Sequence, residues 1–229
     1  MKHLYLLLLT CLLASCGNKR TLLLPQIENA EINELHDVSH AYLFYDETKE
    51  DSVDLNRKNL ISTTNWLVNV DKRLTLEQAI PKIKFLQDKK RNAKMHKNEA
   101  AKNYFTCNDT SIKNLGFLEF TDTYYHTLSL NEYSKDNKEL QNPMILFKVD
   151  TFNNYTIQKV TGQQQLSLVS ETIDKAIEDL IRITDNNNNL VTYLKFNPKL
   201  SFQDYILIKS KLLKIESDLV VFDNNEFIY

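Results

Sequence analysis

His36 and His40 stand four residues apart, the spacing that would set two imidazoles on one helix face for a metal ion. Asp37 occupies the position where such motifs carry Glu, no third protein ligand is nominated, and the stretch has no long helical pattern. Exposed loop histidines are the expectation. Glu119 and Asp122 form a carboxylate pair, but glycoside hydrolysis also needs a cleft between two such groups. No serine has the flanking glycines of a Gly-x-Ser-x-Gly nucleophile elbow. The only glycines, Gly17, Gly116 and Gly162, cannot build a P-loop or a dinucleotide fingerprint. Asp185, followed by Asn186 to Asn189, lacks the alternating ligands and central Gly of a calcium loop and reads as a solvated turn. Catalytic, cofactor and metal residues are therefore all assigned as none.

The clearest chemistry belongs to Cys16. Met1, Lys2 and His3 precede an apolar stretch of 12 residues, Leu4 to Ser15, with small residues before the cysteine, which is the pattern of a secretory signal. A spanning helix needs about 20 apolar residues, so this stretch is too short to cross a bilayer. Leu13-Ala14-Ser15-Cys16 resembles the lipobox of bacterial lipoproteins at all four positions. The resemblance implies cleavage after Ser15 and diacylation of Cys16, which becomes the mature N-terminus, anchored in the membrane through its lipid. Several acyl chains would hold firmly, since each buried methylene contributes about 0.8 kcal/mol and one chain alone is marginal. In such lipoproteins an Asp after the cysteine favours the inner membrane. Gly17 stands there, so the outer membrane is expected.

Residues 16 to 229 are enough for one large domain or two small ones. With Cys11 removed and Cys16 lipidated, Cys107 is left without a disulfide partner. It lies in the apolar run Tyr104-Phe105-Thr106-Cys107 and is expected to be a buried small hydrophobe. Trp66, the one tryptophan, is expected in the core. The net charge of −2 points to no nucleic-acid partner, but Lys82 to Lys102 carries seven Lys and one Arg against Asp88 and Glu99. That cluster could meet anionic headgroups or sugars. A solvated helix end, with Lys89, Lys90 and Arg91 complementing the dipole, is the plainer reading.

These residues need a scaffold. A lipidated tether over 16–34 leads to an N-terminal α/β lobe over 35–130. Ala41 to Tyr45, Ser52 to Leu55 and Asn65 to Val70 read as strands. Thr75-Leu76-Glu77-Gln78 is a capping box opening a helix with the stripe Ile80, Ile83 and Leu86, in which Pro81 predicts a kink or early end. Tyr104 to Cys107 is a further strand, and Leu115 to Phe120 fits either strand or short helix. Residues 131–142 are polar and read as a linker. The C-terminal lobe, 143–229, reads β-β-α-β-α-β, a two-layer sandwich with its sheet packed on two helices. Its strands are Met144 to Val149, Tyr155 to Val160, Leu190 to Phe196, and two short terminal pieces, Leu219 to Phe222 and Phe227 to Tyr229. Its helices follow Gly162 to Gln165 and Ser201.

That order, with Leu166-Ser167 and the junction Leu194-Lys195-Phe196-Asn197-Pro198-Lys199-Leu200-Ser201-Phe202-Gln203-Asp204, resembles the periplasmic domain of the ExbD/TolR biopolymer-transport family. The resemblance implies partner binding, dimerisation or cell-wall contact. It does not carry over the family's proton-coupled motor, because Leu4 to Ser15 contains no acid and is expected to be removed. Val70 to Ile80 also aligns with Phe196 to Ile206, either as a duplicated unit or as two independent strand-to-helix caps. The expected function is a non-enzymatic envelope lipoprotein; the alternative is an exported hydrolase of sugar or peptide with unassigned carboxylates.

Overall fold

The computed structural model describes residues 20–93, 98–136, 143–162, 164–184, 190–215 and 218–229. It is a mixed α/β protein built on two six-stranded mixed sheets. The N-terminal sheet comprises β1 (Gln26–Ile27), β2 (Val38–Tyr45), β3 (Val53–Asn56), β4 (Asn65–Val70), β5 (Asn103–Asp109) and β6 (Asn114–Glu119). Helix α1 (Leu76–Arg91) joins β4 to β5. The C-terminal sheet comprises β7 (Tyr124–His126), β8 (Met144–Thr151), β9 (Asn154–Thr161), β10 (Gln164–Ser170), β11 (Val191–Phe196) and β12 (Val221–Ile228). Three further helices accompany it: α2 (Leu130–Asp136), α3 (Ile173–Thr184) and α4 (Phe202–Leu212).

The strand orders β3-β2-β4-β5 and β9-β8-β11-β12 are the same arrangement. In each, a hairpin is joined by a parallel strand, a crossover helix and a second parallel strand. The aligned junctions at Val70 to Ile80 and Phe196 to Ile206 occupy equivalent places and meet face to face. Thr75 pairs with Ser201 as an antiparallel bridge. Leu76 N–H donates to Leu200 O (2.9 Å), and Phe202 N–H to Leu74 O (2.7 Å). Glu77 N–H donates to Pro198 O (2.9 Å), and Gln203 N–H to Lys72 O (3.3 Å). Each donor is an early N–H of a helix, a group with no intrahelical partner. The opposite lobe's turn supplies that partner.

A single apolar cluster draws on both sheets and on α1, α3 and α4. Phe105 lies at its centre, stacked on Phe120 with centroids 3.8 Å apart and edge-on to Phe202 at 5.2 Å. Strand alternation leaves two smaller apolar faces outside it. Leu67, Tyr104 and Phe117 are covered by Ile32, Leu35 and Val38, whereas Leu146, Tyr193 and Phe227 are covered by Leu130 and Tyr133 of α2.

Several expectations change. Residues 131–136, read as the start of a linker, belong to α2. Ser129 and Glu132 cap one another there, with Ser129 N–H donating to Oε2 (2.9 Å) and Glu132 N–H to Oγ (3.2 Å). Residues 137–142 lie outside the described residues. The tether segment from Arg20 onward is part of the fold: Ile27 is core, and Ile32 bridges Phe117. Gly116 permits that approach, because a Cβ there would lie 2.5 Å from the Ala30 Cβ. Leu166-Ser167, expected to open a helix, lies in β10, and α3 begins at Ile173. The two terminal strand pieces are one strand, β12. Pro81 does not end α1, which runs on to Arg91.

A buried polar chain closes the junction between the lobes. Tyr125 of β7 meets the Tyr205 hydroxyl at 3.1 Å, Tyr205 donates to Glu226 Oε2 at 2.8 Å, and Lys209 Nζ lies 2.6 Å from Oε1. Glu226 is 1% exposed, so the carboxylate depends on these partners. Removing one side of a buried pair leaves the other uncompensated. Lys209→Met should therefore cost about 3 to 5 kcal/mol in urea unfolding, and adding Glu226→Gln should recover most of that loss.

Candidate functional site

Cys16 and the rest of the lipobox lie outside the described residues, as do His96 and Asp185 with its Asn run. His40 lies on strand β2 rather than in a loop, and His36 precedes that strand, before a bend at Asp37 (φ 52°). No helix face brings the two imidazoles together. His36 is exposed, 3.6 Å from Glu34. His126 Nε2 lies 2.6 Å from Asn225 Oδ1, with its ring against Tyr133 and Phe227. Glu119 is held by Lys102 at 2.8 Å, and Asp122 is exposed. Cys107 is fully buried, and desolvation pushes its thiol far above the ordinary range, the opposite of an activated nucleophile. Trp66 is core, its Nε1 donating to Ile61 O at 2.7 Å. Among the described residues no group of three metal-capable side chains converges.

The basic segment divides. Lys84 and Lys89 are exposed, whereas Lys90 and Arg91 turn inward. Lys90 stands seven residues after Ile83 and four after Leu86, on their helical stripe. Its Nζ donates to Lys102 O (2.9 Å), Asn103 Oδ1 (3.1 Å) and Thr64 O (3.3 Å), and lies 5.1 Å from the Trp66 ring centroid. Burial lowers its pKa to about 8. Arg91 donates to Thr121 O and Thr123 O, both at 2.9 Å, and stacks on Tyr124. Arg91 fastens the segment that crosses from one sheet to the other, whereas Lys90 ties the end of α1 to the starts of β4 and β5.

A concave surface lies where the lobes meet, along α4. It begins with Gln203 in the first turn of that helix. Gln203 Oε1 accepts from Gln26 N–H (2.9 Å) and its Nε2 donates to Gln26 O (3.0 Å), standing in for a neighbouring strand. β1 is thereby held between Gln203 and β5. The groove beside it, about 600 Å³, has Ile27, Ile177 and Leu207 as apolar lining and Lys72, Asp174, Lys211 and Lys214 among its polar groups. Lys211 Nζ lies 2.5 Å from Asp174 Oδ1, and Lys214 Nζ donates to Glu28 O at 3.0 Å. Lys72 has no carboxylate partner among the described residues. A hollow of about 230 Å³, lined by Leu118 and Leu213, shares Ile27, Asn29, Ser210 and Lys214 with the groove. Together they form an open channel suited to an extended ligand with apolar side groups.

The depressed Lys90 pKa has a definite sign. The unfolded chain holds this proton to about pH 10.5, whereas the folded chain releases it near 8. Between those values the unfolded state binds more protons, so stability gains with rising pH and the gain is lost as pH falls through 8. Denaturant titrations at pH 7 and pH 10 should show wild type gaining on Lys90→Met at the higher pH. An equal difference at both would contradict the assignment. No family model matches the chain, and no curated protein or solved structure is significantly similar to it.

Proposed function

We propose that this chain is a lipid-anchored envelope protein, held at the outer membrane through Cys16. It acts without catalysis as an interaction module for an envelope protein or the cell wall. The observation carrying this reading is the channel between the lobes. Its apolar lining is contributed by β1, α3 and α4, and Asp174 is neutralised by Lys211 rather than paired with a second acid. An apolar lining with a neutralised acid favours binding. Leu219 and Val221 are also exposed apolar side chains. The resemblance of residues 143–229 to the ExbD/TolR periplasmic domain favours a partner-binding role.

The anchor reading also fixes a distance. Arg20 is ion-paired with Asp46 and Asp54 at the β2–β3 hairpin. It stands four positions after Cys16, and that stretch of chain spans at most about 14 Å. The folded body would sit close against the bilayer, with that hairpin nearest.

Cys16→Ala should move the protein out of the membrane fraction; an unchanged distribution would refute the anchor. For the channel, a photo-crosslinking residue at Leu207 in intact envelopes should give a discrete adduct, while one at the exposed Phe152 gives none. Equal labelling at both, or at neither, counts against the channel as the contact surface.

A further inference from the structure

We propose that two copies of this chain join edge to edge through β10, antiparallel about a two-fold axis at Ser167. β10 ends the C-terminal sheet: β9 pairs with all seven of its residues, and among the described residues nothing pairs with its other side. The hairpin closes on Thr161 and Gln164 through two residues, which makes Gln164, Leu166, Leu168 and Ser170 the ones bonded to β9. Gln165, Ser167 and Val169 then turn their N–H and C=O groups outward.

Such an edge is ordinarily blunted by shortness, charge or a cover. The other edges of this molecule are treated in that way. β7 has three residues, β3 has four with Asp54 engaged by Arg20, and β6 is bridged by Ile32. β10 is seven residues long, has no charged side chain, and leaves Leu166 52% and Val169 70% exposed.

The occupant is a second copy because the strand is self-complementary. Read outward from Ser167, Leu166 and Leu168 are mirror positions, flanked by Gln165 and Val169. Antiparallel pairing about Ser167 sets Ser167 against Ser167, and Gln165 against Val169 in both senses. Each of these pairs exchanges two main-chain hydrogen bonds. The intervening pairs set Leu166 against Leu168, where side chains approach most closely, and cover the exposed Leu166. No charge meets a like charge across the axis. The result is one continuous sheet through both copies.

Facing residues of a hydrogen-bonded pair have Cα atoms about 5.5 Å apart, within disulfide range. Ser167→Cys in the full-length chain, oxidised in intact envelopes, should therefore give a disulfide-linked dimer on a non-reducing gel. Cys107 is buried, and serves as an internal control in the otherwise wild-type chain. Gln165→Cys alone, facing Val169, should cross-link at least tenfold more slowly. Adding Leu166→Lys to Ser167→Cys should reduce dimer at least tenfold, while reduced samples show unchanged protein levels. Equal rates at positions 165 and 167, cross-linking unaffected by Leu166→Lys, or a Ser167→Cys adduct of a mass other than twice the chain would each overturn the proposal.

Discussion

The two helices that follow β4 and β11 cannot satisfy their own first N–H groups, and each borrows carbonyls from the turn that leads into the other. Thr75 and Ser201 sit at this exchange, with Leu74, Leu76, Leu200 and Phe202 buried around it. Separating the halves would expose those donors and open the apolar cluster that both sheets share. The side-chain caps complete the arrangement. The Gln78 amide oxygen accepts from Thr75 N–H at 2.9 Å, and Ser201 Oγ accepts from Asp204 N–H at 3.1 Å. Two positive helix ends brought together would otherwise repel, and the interposed carbonyls offset that.

This constraint governs where polar groups can be buried. Tyr205 lies on α4 one turn beyond the exchange, its hydroxyl between Tyr125 and Glu226. Burial pushes both phenols well above their ordinary range, so they remain neutral hydrogen-bonding groups. The crossover segment that brings Tyr125 into the C-terminal sheet is held on the other side by Arg91. The acid, the two phenols and the basic end of α1 thus act on one seam. Asp109 does the same for the N-terminal segment. It accepts from the Ser111 hydroxyl (2.6 Å), Ala30 N–H (2.6 Å) and Ser111 N–H (2.9 Å), and these bonds, the hydroxyl's above all, lower its pKa to about 2.

What was legible in the sequence was local. The strands β4 and β11, the caps at Thr75 and Ser201, and the burial of Cys107 and Trp66 follow from residue type and near neighbours. The internal alignment was visible too, although only the structure shows that the aligned junctions bind one another. Helix α2 had a readable signal in Ser129 and Glu132, outweighed by the polar run that follows. β10 was obscured because Gln and Ser favour no element strongly and its alternation is broken by Leu168-Val169. The channel had no local signal at all: Gln26 and Gln203 are 177 positions apart, and neither type marks a binding site. Lys90 could have been placed from helical phase, but lysine's habit of exposure argued the other way.

A channel built on this seam is largely preformed. Closure about a hinge requires that few residues link the moving parts, with the change in dihedral angles confined to them. Here the halves are joined by the exchanged helix donors, by β7 pairing with β12, and by the rings around Phe105. One side of the channel is different. β1 is two residues long, held by Gln203 and by short parallel pairing to β5. Adjustment to a ligand would fall on that segment, while α4 and α3 stay fixed. The same segment begins at Arg20 and leads back toward Cys16, so an occupant of the channel would bear on the stretch of chain nearest the proposed anchor.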